Sequence, residues 1–221
     1  MLPVAQVGFM TSSNNNPPRS VVVIDSDVPD LQDLLSGLAP GVEAFVIAPS
    51  SDGLAQIAAI LVANDLSNLS SISLGGHGEA GQIQLGSTTL DAGDLSGDSA
   101  ALAQIGAALS PGGQLQLYSC NTGRGATGQQ FIADLSRLAG VPVAASDQDI
   151  GQTAGGENWT LDVTAGGASA VSAASAPFTT QAEASFQGTL FTVHAPPTVT
   201  AGGTATFTGG GSPVKLDSTL W

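Results

Sequence analysis

SISLGGHG (71–78) and QLQLYSCN (114–121) decide the reading of this chain. Each is a short strand-like run that ends in small residues around one chemically active side chain, His77 in the first and Cys120 in the second. Between them, GQIQLGSTTLD (81–91) has the alternation of a hairpin turning near Gly86-Ser87. A helix comes next over Asp98–Ser110 and stops at Pro111-Gly112-Gly113. A connection that contains a helix suits a right-handed parallel crossover. The two strands are therefore expected side by side, their ends about 4.8 Å apart. In a parallel α/β sheet, functional groups collect at the carboxyl ends of the strands. His77 and Cys120 would emerge on that edge.

The same alternation extends outward in both directions. Val21–Ile24 is a β-branched run ending at Asp25, read as a strand buried on both faces. VPDLQDLLSGL (28–38) carries helix punctuation, with Pro29 early and Gly37 late. Glu43–Ile47 is a second strand, and Ser51 or Asp52 can cap a helix over 53–66. Downstream, QQFIADLSRLAG (129–140) is a helix closed by Gly140, Val141–Ala145 a fifth strand followed by Ser146-Asp147, and Asn158–Val163 an edge or final strand. Strands and helices alternate at least four times. The expected fold class is α/β, a mostly parallel sheet with helices on both faces, over residues 20–165. Residues 1–19 read as a flexible lead-in, 166–190 as a linker, and 191–221 as the truncated start of a β-sandwich-like repeat, so the chain looks like part of something longer.

Composition narrows the function. The chain has 221 residues, 42% of them hydrophobic and 10% charged, enough for a real core. Four basic residues against 18 acidic ones leave a formal charge of −14, which repels phosphate backbones and anionic bilayers. The expected partners therefore include no nucleic acid. No apolar run approaches the roughly 20 residues of a membrane span. One cysteine and two histidines cannot form a disulfide framework or a usual zinc site, and no D-x-D-x-D-G loop is present, so neither metal nor cofactor is expected. MLPVAQVGFM lacks the regions of a secretory signal.

A cysteine beside a histidine is the minimal activated nucleophile. A free thiol is only a few per cent ionised at neutral pH, and an imidazole can take its proton and later protonate a leaving amine. Gly78 lets a substrate backbone approach, and its N–H together with that of Cys120 can hold an oxyanion, a donor being worth about 3 kcal/mol in the transition state. The plainer alternatives stay open: a buried cysteine acting as a small hydrophobe, and a histidine that only serves a turn. Arg124 can lower the thiol pKa or simply be solvated. A third possibility is dinucleotide binding. Gly123–Gly128 matches G-x-G-x-x-G before a helix, with Asp147 19 residues beyond. Four residues separate those glycines from the strand end, however, and the unit is not the first of the sheet. No G-x-S-x-G elbow or Walker A motif occurs.

VVVIDSD, LGGHGEAGQIQLGSTTLD, LQLYSCNTGRGATGQQFIADLSRLAGVPVAASD and GENWTLD, taken in order, resemble a bacterial domain-of-unknown-function family found near the N-termini of very large repeat-containing, cadherin-like surface proteins. That family in turn resembles the caspase-like cysteine peptidases of the caspase, gingipain, separase and legumain clan. The resemblance implies a caspase-like sheet, His77 as catalytic histidine, Cys120 as nucleophile and Gly78 beside the oxyanion. It also implies that an acidic residue after the first strand selects a basic P1 side chain, a location matched by Asp25, with Asp147 facing the same pocket; turn chemistry is the competing role for Asp25. Gly-Gly-His-Gly stands where Ser-His-Gly is more usual, and Tyr-Ser-Cys-Asn lacks the acidic residue that many relatives carry before Ser-Cys. The expected function is a cysteine endopeptidase or self-processing module of a secreted or surface bacterial protein, acting through a thioester on a peptide or protein substrate that includes the parent chain. The alternative is a non-catalytic interaction or adhesin module. Extracellular placement would need an export signal outside this segment.

Overall fold

The computed structural model describes residues 20–152 and 157–190. The expected lead-in at 1–19 and the expected β-module at 191–221 lie outside the described residues.

Six strands form the main sheet: β1 (Ser20–Asp25), β2 (Val42–Ile47), β3 (Leu69–Gly75), β7 (Leu109–Tyr118), β8 (Val143–Ala145) and β9 (Val163–Ala165). Their order is β2-β1-β3-β7-β8-β9, parallel except for β9, which runs antiparallel to β8. A small antiparallel sheet of β4 (Gly78–Glu79), β5 (Gln82–Leu85) and β6 (Thr88–Asp91) rises from the end of β3. Its β5–β6 hairpin turns at residues 86 and 87, as the alternation in 81–91 requires. Among the described residues five helices accompany the sheets: α1 (Leu31–Ser36), α2 (Gly53–Ala63), α3 (Ser99–Ala107), α4 (Gly125–Ala139) and α5 (Thr180–Ser185). None of the described helices is long and apolar enough to cross a membrane.

The all-apolar β1 is explained by its place in the middle of the sheet. Side chains alternate across a strand, so Val21 and Val23 enter one core with α2, α3 and α4, and Val22 and Ile24 enter a second core on the other face. Asp52 caps α2 by accepting the Ala55 N–H. Gly140 closes α4 in the left-handed conformation, φ 70°. Two elements depart from expectation. The strand ending at Tyr118 begins at Leu109 and carries Pro111-Gly112-Gly113 through a register irregularity against β3. The last strand is displaced from 158–163 to 163–165, because Asn158 and Leu161 form only isolated bridges and Trp159 turns inward.

The larger correction concerns 166–190. These residues are not a linker but one wall of the second core, to which Val171, Phe178, Ala182, Phe186 and Leu190 all contribute. Trp159 is fully buried there, with its ring 5.4 Å from both Phe178 and Phe186 in edge-on contacts, and 6.2 Å from Tyr118. Phe178 and Phe186 flank the short helix α5, among Ala, Ser and Thr that carry no clear strand or helix pattern. Phe186→Ala should leave a cavity beneath Trp159 and lower stability by about 3–5 kcal/mol, read from the shift in urea midpoint.

The same core buries the carboxyl of Glu183, 3% exposed, and its Oε1 has no hydrogen-bond partner. Desolvation pushes its pKa up from 4.5 to about 7. A raised carboxyl pKa contributes stability that is fully present below pH 4.5 and lost as pH rises through about 7. Glu183→Gln should therefore match the parent at pH 4 and exceed it by roughly 2 kcal/mol at pH 8, measured by urea denaturation at the two pH values.

Candidate functional site

The parallel register pairs Gly75 with Tyr118 at the ends of β3 and β7. His77 and Cys120 each lie two residues beyond that pair, on one edge of the sheet. Packing then sets the backbone. A Cβ on Gly78 would fall 2.6 Å from Thr122 Oγ1 and 2.7 Å from Ser119 Cβ, so glycine is needed for the two turns to touch. Ser119 and Thr122 are buried and share a 2.6 Å hydroxyl hydrogen bond. Gly76 is needed for a similar reason, since its Cβ would meet the Gln84 carbonyl oxygen at 2.4 Å.

With the turns in contact, the N–H groups of Gly78 and Cys120 converge. Both donate to one oxygen, the carbonyl of Leu190, at 3.2 and 3.1 Å. Leu190 in turn donates its N–H to the Ile150 carbonyl at 3.0 Å, and Gln152 donates to the Gly188 carbonyl at 3.1 Å. Gly151 and Thr189 face each other across this antiparallel contact. Residues 188–190 thus lie extended along 150–152 and end with a carbonyl between two N–H donors.

His77 Nε2 donates to the Asp27 carbonyl at 3.3 Å. A carbonyl only accepts, so Nε2 carries a proton, and in the neutral tautomer this leaves the lone pair on Nδ1. Nδ1 is buried and has no hydrogen-bond partner among the described residues. Cys120 is fully buried. Its Sγ accepts the Ile150 N–H at 3.2 Å, and its S–H points to the Ile150 carbonyl at 3.5 Å. Burial pushes the thiol pKa well above its ordinary value of 9.0; the hydrogen bond from Ile150 opposes this, and the charges of Asp149 and Glu157 add to it. The thiol is neutral in this arrangement and makes no hydrogen bond to His77.

The other anticipated residues are placed differently. Asp25 is buried, and its two carboxylate oxygens accept the N–H groups of Asp27 and Gly86. That is turn chemistry, tying the end of β1 to the β5–β6 hairpin. Asp147 follows β8 with its Oδ1 buried and unpartnered. Arg124 donates to Asn121 Oδ1 at 2.9 Å, and Asn121 donates to Asp149 Oδ1, so the guanidinium braces the loop after Cys120. Of the glycines of the G-x-G-x-x-G pattern, Gly125 takes the left-handed conformation, φ 63°, and the other two have packing roles. Gly123 abuts Val163, and Gly128, inside α4, abuts the Gly123 backbone at 2.3 Å from its Cβ position. Sequence reasoning missed Ile150 and Leu190, whose contribution is main-chain and carries no side-chain signature.

Fold and site together define an α/β domain with a mostly parallel sheet, its strand ends carrying a histidine, a cysteine and a pair of convergent N–H donors. The chain belongs to the family described as Domain of unknown function (DUF4347), whose model matches residues 21–190. No curated protein matches it. Among solved structures it is similar to caspase-1 from Spodoptera frugiperda at 17% identity and a TM-score of 0.29, a match covering 52% of this chain and 56% of the caspase chain.

A buried, neutral thiol reacts only through its small ionised fraction. Alkylation of Cys120 by iodoacetamide in the folded protein should be slow at pH 7 and rise about tenfold per pH unit towards pH 9. Mass spectrometry of the single cysteine gives the rates, and urea should abolish the difference from a free thiol.

Proposed function

We propose that this chain is a cysteine peptidase-type self-processing domain of an exported bacterial surface protein, with Cys120 as nucleophile and His77 as proton carrier. The observation that supports it most is the meeting of two N–H donors from two strand ends on one carbonyl oxygen. An oxyanion hole needs such donors fixed in advance, so that charge developing on oxygen meets them without reorganisation.

The reaction can be written from the atoms. Cys120 Sγ attacks a peptide carbonyl carbon, and an S–C bond forms. The π pair moves to the oxygen, held by the Gly78 and Cys120 N–H groups. The thiol proton passes to His77 Nδ1, whose lone pair is available because Nε2–H is held by Asp27. The C–N bond breaks as the imidazolium gives this proton to the leaving amine. Water then hydrolyses the thioester, releasing a carboxylate and restoring the thiol.

A non-catalytic binding role draws on a separate observation, the closed pair of contacts between Cys120 and Ile150. The two readings diverge in one measurement. Acyloxymethyl-ketone peptides with varied P1 residues should label Cys120, and His77→Ala should slow that labelling at least tenfold, a typical contribution of acid–base assistance being on the order of 100-fold or more. Labelling of equal rate in both proteins would favour the binding role.

A further inference from the structure

We infer that the peptide bond between Leu190 and Phe191 is the substrate this site is built around, with residues 187–190 lying in the cleft as its acyl side. The inference rests on the peptidase reading above and adds to it the bond cut and the class of residue accepted.

Four features point to it. The oxygen between the two N–H donors is that of Leu190, the carbonyl a nucleophile at Cys120 would attack. The N–H of the same residue and the carbonyl two residues before it are held by Ile150 and Gln152. This is how an extended peptide is gripped by its main chain when it adds to a strand edge. The Leu190 side chain is 1% exposed and joins the apolar core that contains Cys120, Ile150 and Tyr118. An apolar residue therefore fills the position for which a basic one was expected, and Asp25 has its oxygens occupied elsewhere. The neighbouring positions also fit closely. Thr189 Oγ1 donates to Glu157 Oε1 at 2.8 Å, and Gly188 lies where a Cβ would meet Pro29 at 2.5 Å. Finally, the family match ends at residue 190. A cut at this bond separates the family domain from the remainder of the chain.

In the step, Sγ of Cys120 bonds to the Leu190 carbonyl carbon, and the Leu190–Phe191 C–N bond breaks. The proton carried by His77 goes to the Phe191 nitrogen, which leaves as a free α-amine. Water then converts the thioester to the Leu190 carboxylate.

The test uses the full 221-residue chain, analysed by intact mass and N-terminal sequencing. Two products are expected, one ending at Leu190 and one beginning at Phe191. Cys120→Ser and His77→Ala should remain whole. Leu190→Met should still be cut, and Leu190→Lys should be cut slower by on the order of a hundredfold. Because Leu190 is buried, Leu190→Lys can fail to fold. Phe191→Pro supplies the second variant, since it turns the leaving amine into a ring nitrogen and should stay whole, with its melting curve showing that it folds. Cleavage at another bond that needs Cys120 and His77 would overturn the assignment and leave the peptidase reading standing. So would undiminished cleavage of Phe191→Pro, or a chain that stays whole while a Gln-Gly-Thr-Leu acyloxymethyl ketone labels Cys120 in a His77-dependent way. Neither cleavage nor labelling would overturn both readings.

Discussion

The parallel pairing of β3 with β7 sets the geometry on which the candidate site depends. Gly75 and Tyr118 are in register, so the chain leaves the sheet at the same height on both strands. Two residues later each strand presents an active side chain, and the N–H donors are those of Gly78 and Cys120. A register slip of one residue would turn every side chain of β7 to the opposite face, exchanging Leu115 and Leu117 of one core for Gln116 and Tyr118 of the other. The apolar alternation that builds the two cores therefore also fixes the site. The buried Ser73–Gln116 hydrogen bond at 2.9 Å, between register partners, adds a polar check on the same alignment.

The sheet was legible because strong signals agreed. The β-branched run at 21–24, the helix punctuation and the glycine-rich strand ends all pointed to a parallel α/β sheet, and periodicity of this kind comes from burial itself. The C-terminal wall was not legible. Phe178, Ala182 and Phe186 recur at every fourth position, but only Ala182 lies in α5, and they sit among Ala, Ser, Thr and Gln that carry no punctuation. Trp159 is covered both by Tyr118 of the sheet and by Phe178 and Phe186 of that wall, a pairing that only the path of the chain reveals. The short helix α5 owes its existence to that burial and not to intrinsic propensity, for six residues are far below the length at which an isolated helix is stable.

The site was legible in part for the same physical reason. Side chains announce chemistry through their identity, so His77 and Cys120 stood out, and Gly78 stood out because a close approach needs glycine. Main-chain groups announce nothing. The carbonyl of Leu190, the N–H and carbonyl of Ile150 and the carbonyl of Asp27 are common to all residues, and their roles emerge only from the path of the chain. Asp25 shows the converse. Its position after the first strand invites a role in specificity, yet a carboxylate at a strand end is an efficient acceptor for nearby N–H groups, and here Asp27 and Gly86 supply them.

That residues 188–190 of the chain itself lie against the Gly78 and Cys120 N–H groups would bear, on the proposed reading, on how such a site is controlled. A tethered segment competes with any outside peptide at an effective concentration in the millimolar range. Displacing it exposes Leu190, worth about 1.5–3 kcal/mol of burial, and breaks four main-chain hydrogen bonds worth about 1 kcal/mol each. Outside peptides bind only by matching both. The buried thiol fits this arrangement. Held neutral against Ile150, it is poorly reactive towards solvent while the strand is in place. Cutting after Leu190 would leave a new carboxylate between the Gly78 and Cys120 N–H groups, in a chain of −14 and within the field that Asp149 and Glu157 already exert at Cys120. The two donors and the unbroken chain through Thr189 favour its retention, while the surrounding charge favours release. On the proposed peptidase reading, the balance between them would decide whether the domain acts once, on its own chain, or becomes open to other peptides afterwards.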